Sequence, residues 1–381
     1  DKEDKTDEKL LAEAVEAAKR AKIAVIFAGL PDAFESEGFD REHMRMPDCQ
    51  NELISKVAEV QPNTVVVLHN GSPVEMPWVN EVKGIVEAYL GGQAVGGAVC
   101  DILFGKVNPS AKLPESFPLK LEDNPSYLFY PGEKDKVEYR EGIFVGYRYY
   151  DSKKMEVLFP FGHGLSYTTF AYSNLSVDKE QMKDTDVMTV SVDVTNTGNM
   201  AGKEIVQLYV ADKESTVIRP AKELKGFEKV ELAPGETKTV TFTLDKRAFA
   251  YYSVKLQDWH VETGVFDIMI GRSSRDIELT KEVTVESTVK IPFVYTTDTA
   301  MGDVLKDPRA REIVKELLKL DIFGGEQGKA ESDAANEAIS AGMSEAMAGF
   351  TPLRGALSFG GNMNMADIQE IVDKLNALEE G

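Results

Sequence analysis

Residues 23–30 read IAVIFAGL, a short continuous apolar run with a glycine near its end. A helical pattern precedes this run in residues 7–20, DEKLLAEAVEAAKR. A second helix and a second apolar run follow it, DCQNELISKVAEV at 48–60 and TVVVLH at 64–69. Apolar strands that alternate with helices are typical of a parallel sheet buried on both faces. The stretch around residue 23 therefore predicts an α/β fold for the first part of the chain.

The alternation continues through one more unit. We expect a short helix near 74–80, a strand in GIVEAYL (84–90) and a helix in QAVGGAVCDILFG (93–105). Only three apolar strands are visible in this pattern, and a three-stranded parallel sheet with a raw edge is small for such an architecture. We therefore predict a partial α/β sandwich over residues 1–118, with further strands expected before Asp1.

The rest of the chain changes character twice. Residues 119–166 are rich in proline, glycine and aromatics, which predicts an ordered connecting arm that buries its aromatics against other elements. Residues 167–288 alternate apolar and polar positions between turn sequences, as in MTVSVDVTNTG and TKTVTFTL, which predicts an antiparallel β-sandwich. Residues 289–381 contain the amphipathic stretches PRAREIVKELLKL and ADIQEIVDKLNAL, which predict a helical C-terminal tail.

Composition limits the function classes. The formal net charge of −21 argues against nucleic acid and anionic membranes as partners, because both require a basic face. Neutral ligands are the simplest class that remains. Cys49 and Cys100 fall in predicted helices, and we interpret them as small buried hydrophobes, which fits a reducing, cytoplasmic compartment. His43 and His69 lack the spacing of metal ligands, so no metal and no cofactor is expected.

One loop concentrates charged residues. Phe34–His43 reads FESEGFDREH, with three glutamates, an aspartate and an arginine around a glycine. The loop follows the strand at 23–30, so it leaves the carboxyl end of a parallel strand, where open α/β sheets bind ligands. Acidic residues are usually exposed, and the loop taken alone would be interpreted as a solvated turn.

Longer segments match a known family in order. They are ESEGFDREHMRMPDCQNELI, NGSPVEMPWVNEVKGIVEAYLGGQAVGGAVCDILFGKVNPSAKLPESFP, EGIFVGYRYYD, FPFGHGLSYTTF, NTGNMAGKEIVQLYV, RPAKELKGFEKVELAPGETKTVTFTL and GVFDIMIGRSSRDIEL, within roughly residues 20–285. Over these segments the chain resembles the C-terminal half of family 3 glycoside hydrolases of the β-glucosidase type. The resemblance implies an α/β sandwich followed by a fibronectin type III-like domain. Its tail helices are similar in style to those of longer bacterial members, which implies a bacterial protein.

The resemblance also implies a retaining exo-glycosidase mechanism with two carboxyl groups. In the family the nucleophile is an aspartate on a TIM-type barrel, in a Ser/Thr-Asp-Trp motif, and this sequence contains neither the barrel nor that motif. Asp258-Trp259 lies in an alternating strand pair and is interpreted as structural. We therefore expect a second polypeptide, or a formerly continuous segment, to carry the barrel and the aspartate. A homo-oligomer stays open.

The family's acid/base glutamate lies within Glu-Gly-x-Asp-Arg, which here begins at Glu37. The resemblance thus implies Glu37 as acid/base, with Glu35 as the alternative or as a residue that tunes it. Phe34 and Phe39 are candidates to stack on a sugar. Support of the loop is expected from an ion pair between the neighbouring residues Asp40 and Arg41.

The expected substrates are neutral oligosaccharides or aryl glycosides with a terminal non-reducing β-linked sugar. β-Glucoside is the default, while xyloside, galactoside and N-acetylglucosaminide stay open. The alternative function is a non-catalytic carbohydrate-binding or scaffold module that reuses the same fold.

Overall fold

The computed structural model describes residues 4–291, 293–314, 349–359 and 364–378. The chain forms two compact units, Asp1–Thr288 and Val289–Gly381. None of the described helices is long and apolar enough to cross a membrane.

The first part of the chain is an α/β arrangement whose three strands form a parallel sheet, each strand pairing with the next in chain order. The α/β prediction is confirmed, and several element bounds differ from it by no more than two residues. The elements are α1 (Glu8–Arg20), β1 (Ala24–Gly29), α2 (Asp48–Val60), β2 (Thr64–His69), β3 (Gly84–Glu87) and α3 (Val95–Leu103).

The sheet carries its core on the side of α2. Ile54 of α2 packs with Val66 and Leu68 of β2 and with Trp78, all of them buried. The indole of Trp78 donates to Asn51 Oδ1 at 2.9 Å, so this large side chain has its polar atom satisfied in the core.

No helix forms near 74–80, where one was predicted. The segment instead makes turns, in which the amide of Val79 donates to Met76 O at 3.0 Å and that of Glu81 to Trp78 O at 2.8 Å. Two prolines, Pro73 and Pro77, explain the difference, because each lacks the backbone donor that a helix requires.

Strand β1 lies at the edge of the sheet and is apolar on both faces. Ile26 and Ala28 are buried, whereas Val25 and Phe27 are exposed, with Phe27 62% exposed. The sequence pattern predicted the unpaired edge that the sheet presents among the described residues. It also predicted burial on both faces, and the described chain leaves the face of Val25 and Phe27 exposed.

The connecting arm contains one short helix, α4 (Tyr147–Ser152), and a 3₁₀ turn at Leu121–Asp123. Near α4 the expected burial holds: Tyr147 stacks on Phe161 with ring centroids 4.6 Å apart, and Tyr150 is buried. Before α4 it does not hold, and the prediction that the arm buries its aromatics is wrong for Tyr127, Tyr130 and Tyr139, the last 82% exposed. The backbone of this stretch forms hydrogen bonds within local turns, and these turns leave the three rings exposed.

The next part is the predicted antiparallel β-sandwich. Its elements are β4 (Phe170–Val177), β5 (Gln181–Lys183), β6 (Met188–Asn196), β7 (Gly202–Asp212), β8 (Glu223–Leu232), β9 (Thr237–Leu244), α5 (Lys246–Phe249), β10 (Tyr251–Ser253), β11 (Asp258–His260), β12 (Gly264–Gly271) and β13 (Ile277–Glu286). A five-stranded sheet, β5-β13-β12-β7-β8, shares one core with a three-stranded sheet, β4-β6-β9, and β10 pairs with β11.

Buried polar groups of the sandwich contact two segments that precede it, one around Lys112 and one around Gly162. Lys112 lies 3.1 Å from Glu204 of β7, and the hydroxyl of Tyr172 of β4 donates to the same carboxylate at 2.9 Å. The Gln207 side chain, also on β7, donates to the carbonyl of Gly162 at 3.0 Å. Because these groups are nearly fully buried, the contacts hold both segments against the sandwich.

The described part of the second unit contains four short helical elements. Its elements are α6 (Met301–Val304), α7 (Pro308–Ile313), a 3₁₀ helix (Leu353–Phe359) and α8 (Met365–Ala377), with Asn364 and Asp367 forming a capping box at the start of α8. The predicted helix at 366–378 is confirmed. The helix predicted over 308–320 is confirmed in its first part, and its remainder from residue 315 lies outside the described residues.

Candidate active site

The charged loop leaves the carboxyl end of β1 and continues to α2. A turn at Pro31 starts it, with the amides of Phe34 and Glu35 donating to Pro31 O at 2.7 and 3.1 Å. Gly38 adopts a φ of +97°, which L-residues with a side chain rarely adopt. Since the sheet is parallel, the residues that follow β2 and β3 meet the loop at the same edge.

Glu35 is anchored to the turn after β2. Its carboxylate accepts from the Gly71 amide at 2.6 Å and from the Ser72 hydroxyl at 2.9 Å. Arg41 completes the arrangement: it donates to Ser72 Oγ at 2.6 Å and to Pro73 O at 3.2 Å, and its guanidinium lies 3.9 Å from Glu35. We call Glu35, Arg41 and Ser72 the loop clamp. Burial lowers the pKa of Arg41, and the Glu35 carboxylate opposes that effect.

The expected ion pair between Asp40 and Arg41 is absent from the described contacts, and that prediction is wrong. Arg41 points to the β2 turn, whereas Asp40 accepts from the Tyr130 hydroxyl, which raises the pKa of Tyr130. The physical reason is that residues 36–39 form a turn, so Glu35 rather than the neighbouring residue comes within reach of the guanidinium.

Glu37 lies at the exposed tip of the loop. It makes no hydrogen bond or ion pair with any residue that the structure describes. Phe39 beside it is 50% exposed, whereas Phe34 contacts the His43 ring edge-on at 5.7 Å. The clamp therefore engages Glu35 and leaves Glu37 and Phe39 available to other molecules.

Two carboxyl groups near the loop escaped the sequence reasoning. Glu87, at the end of β3, accepts from the Tyr89 amide at 3.1 Å and from the Asn70 side chain at 3.4 Å. Burial raises its pKa to about 7, and the charges of Glu115 and Glu35 contribute in the same direction. A glutamate inside the apolar run GIVEAYL was the signal that would have found it.

Glu115 comes from the segment that enters the arm. The Tyr89 hydroxyl donates to its carboxylate at 3.1 Å, and burial raises its pKa. No feature of the flanking sequence, KLPESFP, marks Glu115 as part of the site. The carboxyl edge of the sheet thus holds three glutamates in different environments: Glu35 clamped, Glu87 and Glu115 partly buried.

Comparison with known proteins gives this arrangement its context. Residues 3–167 match the glycosyl hydrolase family 3 C-terminal domain, and residues 204–274 match a fibronectin type III-like domain. This chain carries the C-terminal domains of glycosyl hydrolase family 3. The loop, the clamp and both partly buried glutamates lie within the family 3 domain, so the candidate site belongs to that domain as a whole.

Relatives of this family 3 chain are glycosidases by name. Over 377 residues it is 58% identical to the thermostable beta-glucosidase B of Acetivibrio thermocellus. The match covers 99% of the chain and 49% of that protein. It is 48% identical to the exo-alpha-(1->6)-L-arabinopyranosidase of Bifidobacterium breve, covering 81% of the chain and 40% of the relative. The crystal structure of the Bifidobacterium adolescentis GH3 beta-glucosidase superposes with a TM-score of 0.74 at 47% identity, covering 81% of the chain and 45% of that structure.

The family 3 chain spans about half the length, or less, of these relatives. The fibronectin-like match falls on β7 to β12 of the sandwich. Asp258-Trp259 lies in β11, where Trp259 packs against the Arg247 guanidinium at 3.5 Å, a structural environment.

Proposed function

We propose that this chain supplies the general acid/base, Glu37, of a retaining exo-acting β-glycosidase, with β-glucoside as the first substrate. The observation that carries the proposal is the loop clamp: Glu35 accepts two hydrogen bonds and lies 3.9 Å from the Arg41 guanidinium, whereas Glu37 stays exposed within the Glu-Gly-x-Asp-Arg segment. In such a reaction one carboxylate attacks the anomeric carbon, and the other protonates the leaving oxygen and then deprotonates water. Glu37 takes the second role.

Glu35 is a positioning residue in this proposal. Its carboxylate already accepts a backbone amide at 2.6 Å and a hydroxyl at 2.9 Å, which suits an anchor. Arg41 and Ser72 hold it there, so the clamp sets the position of the loop that presents Glu37. Phe39, next to Glu37 and half exposed, is proposed to contact the sugar.

The nucleophile is proposed to be an aspartate on a TIM-type barrel outside these 381 residues, either on a second polypeptide or on a preceding part of a longer protein. Two observations support this. Relatives are about twice as long as the matched region, and the edge strand β1 exposes Val25 and Phe27, an apolar surface that needs a cover.

The barrel would also prepare Glu37 for proton transfer. A general acid must be protonated at working pH, which requires a raised pKa. Docking of the barrel would bury Glu37 and place the nucleophile's carboxylate about 5 Å away, and both effects raise the pKa of an acid. We therefore expect the chain by itself to be inactive.

The substrate class follows from charge and from the relatives. The net charge of −21 favours neutral glycosides. Several relatives are named beta-glucosidases, and two are named exo-alpha-(1->6)-L-arabinopyranosidases. The assay therefore compares p-nitrophenyl β-D-glucoside with the α-L-arabinopyranoside, and includes the β-xyloside, β-galactoside and N-acetyl-β-glucosaminide.

The test uses the native material. A denaturing gel of the purified sample is searched for a polypeptide of barrel size, and the complex is assayed with Glu37→Ala against the matched variant Glu42→Ala, an exposed glutamate of the same loop. We expect Glu37→Ala to lose about 10²- to 10⁴-fold in turnover and to recover activity on aryl glycosides with azide, while Glu42→Ala stays near the wild type. Near-normal turnover of Glu37→Ala contradicts the assignment. If the sample binds sugar but contains no polypeptide of barrel size and turns over no glycoside, the non-catalytic module is favoured.

A further inference from the structure

The turn after β2, residues 70–73, lies between the loop clamp and the end of β3. On the side of the clamp, the Gly71 amide and the Ser72 hydroxyl donate to Glu35 at 2.6 and 2.9 Å. The approach is so close that a Cβ added at Gly71 would lie 3.0 Å from Glu35 Oε1. The position of the charged loop therefore depends on the position of this turn.

Asn70 holds the turn from the side of β3. This residue is 1% exposed, and its Nδ2 donates to the Ser72 carbonyl at 2.9 Å. The same Nδ2 donates to Glu87 Oε2 at 3.4 Å. Because a carbonyl oxygen can only accept, the Asn70 amide must direct its nitrogen toward Ser72. One buried amide thus joins the turn to the carboxyl group of Glu87.

Glu87 changes what it offers to Asn70 when it ionises. As a carboxylate it accepts with both oxygens, the Tyr89 amide at Oε1 and Asn70 at Oε2. As a carboxylic acid it carries one hydroxyl, which has to donate. Hydrogen bonds to an ionised acceptor are roughly twice as strong as those between neutral groups. The contact between Glu87 and Asn70 is therefore firmer when Glu87 is ionised.

The surroundings of Glu87 bring its ionisation into the neutral pH range. Burial raises its pKa to about 7, and the charges of Glu115 and Glu35 act in the same direction. The ionisable groups on the elements around it are Glu115, Glu35, Arg41, His69 and Tyr89. Among the described contacts of the Asn70 side chain, Glu87 supplies the one ionisable group.

We propose that Glu87 is a positioning residue for the glycosidase site: through Asn70 it sets the turn that holds the charged loop, and it does so more firmly as a carboxylate than as an acid. The effect on turnover rests on the proposed function, in which that loop presents Glu37. Asn70 Oδ1 is buried and has no hydrogen-bond partner among the described residues. Rotation of the amide would let Oδ1 accept from a Glu87 hydroxyl, and would withdraw Nδ2 from the Ser72 carbonyl.

The 381-residue chain offers a reporter of the turn that does not depend on activity. Asn70-Gly71 is the only Asn-Gly pair in the sequence, so ¹³C-carbonyl asparagine with ¹⁵N-glycine gives a single amide signal in a triple-resonance NMR spectrum. The Gly71 amide donates to Glu35, and its chemical shift reports that bond. We expect the signal to move in one step with its midpoint at about pH 7 in the wild type.

Matched variants assign the step. Glu87→Gln should lack it, because glutamine keeps one acceptor and one donor and so mimics the protonated acid at every pH. Glu115→Gln removes a like charge, and the step should remain and move to lower pH. Glu81→Gln, an exposed glutamate before β3, should leave it unchanged. A wild-type signal that stays constant between about pH 5.5 and about pH 8.5, or an unaltered step in Glu87→Gln, overturns the proposal.

Turnover of the complex gives the second readout. The quantity is the ratio of kcat on cellobiose between the wild type and Glu87→Gln at each pH. Both proteins share Glu37 and the nucleophile, so the titrations of those groups cancel in the ratio. We expect the ratio to be near unity at low pH and to rise about threefold above the pKa of Glu87, with little change in KM. A ratio that does not vary with pH overturns the role of Glu87 in the reaction.

The outcome is separable from that of the proposed function. Glu37→Ala should collapse turnover of the complex and leave the Gly71 step in place, because the described contacts of the turn with the loop are made by Glu35 and Arg41. A normal Gly71 step with normal turnover of Glu37→Ala would overturn the acid/base role alone. A missing step with collapsed turnover of Glu37→Ala would overturn the positioning role of Glu87 alone.

Discussion

Replacement of Glu87 by glutamine should change how stability depends on pH. Burial, with the charges of Glu115 and Glu35, raises the pKa of Glu87 from 4.5 to about 7 in the folded chain. Each pKa unit corresponds to 1.36 kcal/mol of differential interaction, so the shift represents about 3 kcal/mol. Partial exposure of the side chain screens part of it, which leaves about 2–3 kcal/mol.

The sign follows from the raised pKa. Below pH 4.5 Glu87 is protonated in both the folded and the unfolded chain and contributes no pH dependence. Between pH 4.5 and about 7 the unfolded chain has lost the proton while the folded chain still holds it, so the free energy of unfolding falls as the pH rises. Above pH 7 Glu87 is ionised in both states, and the folded chain bears the full free-energy cost of holding its charge. Glutamine cannot ionise, so Glu87→Gln should gain about 2–3 kcal/mol relative to the wild type across this window.

The assay is urea unfolding followed by tryptophan fluorescence at pH 4.5, 6 and 7.5. The chain has two tryptophans, and a Trp259→Phe background leaves the buried Trp78 as the reporter of the α/β part. Loss of one hydrogen bond to Tyr89 or Asn70 would shift the variant by about 1 kcal/mol at every pH. The change with pH is therefore the diagnostic quantity. Glu81→Gln, an exposed glutamate before β3, is the control. Parallel curves for Glu87→Gln and the wild type would refute the reasoning.

Three other outcomes follow from particular contacts. Lys112→Met should destabilise the chain by about 3–5 kcal/mol in urea unfolding, because it leaves the buried carboxylate of Glu204 without its cation; a change below about 1 kcal/mol would contradict a buried pair. Ser72→Ala removes the hydroxyl that links the two clamp residues, and turnover of the complex should fall about tenfold with little loss of stability; unchanged kcat would mean that the clamp does not position the loop. Cys100 is exposed and should react with a thiol reagent in the folded chain well before Cys49, whose pKa burial raises; equal rates would be inconsistent with this difference.

That exposure also corrects a prediction. Both cysteines lie in helices as predicted, Cys49 in α2 and Cys100 in α3, but Cys49 is only half-buried and Cys100 is exposed. Among the residues of α3, Val99 alone is buried, so most of this apolar helix faces outward in the described chain. An apolar pattern predicts that a residue can be buried and does not say which surface covers it.

The helices and strands of the α/β part could be predicted because each depends on the pattern of its own residues. Strand β2 and helix α2 have the bounds that TVVVLH and DCQNELISKVAEV predicted, since each run is apolar or periodic along its whole length. The strand predicted over 84–90 ends at Glu87, because Tyr89 takes a φ of +47° and leaves the extended conformation. Such a left-handed position has no reliable mark in the sequence when the residue is a tyrosine.

The candidate site could be predicted only in part, because several of its contacts join residues that are far apart in the sequence. Chain order alone placed the Phe34–His43 loop at the carboxyl edge of the sheet. The contacts of Arg41 are with Ser72 and Pro73, about thirty positions away, and no periodic pattern encodes a pair at that separation. Asp40 was the obvious partner by adjacency, and the turn at residues 36–39 directed it elsewhere.

The central claim is that Glu37 donates the proton to the leaving oxygen, and leaving-group dependence tests it most directly. The measurement is kcat/KM of the complex carrying Glu37→Ala, with 2,4-dinitrophenyl β-D-glucoside and with cellobiose as substrates. A dinitrophenolate leaves without protonation, whereas a sugar alkoxide needs it. We predict a loss of about 10²- to 10⁴-fold on cellobiose and less than about tenfold on the dinitrophenyl glucoside. Equal losses on both substrates, or no loss on cellobiose, would contradict the account.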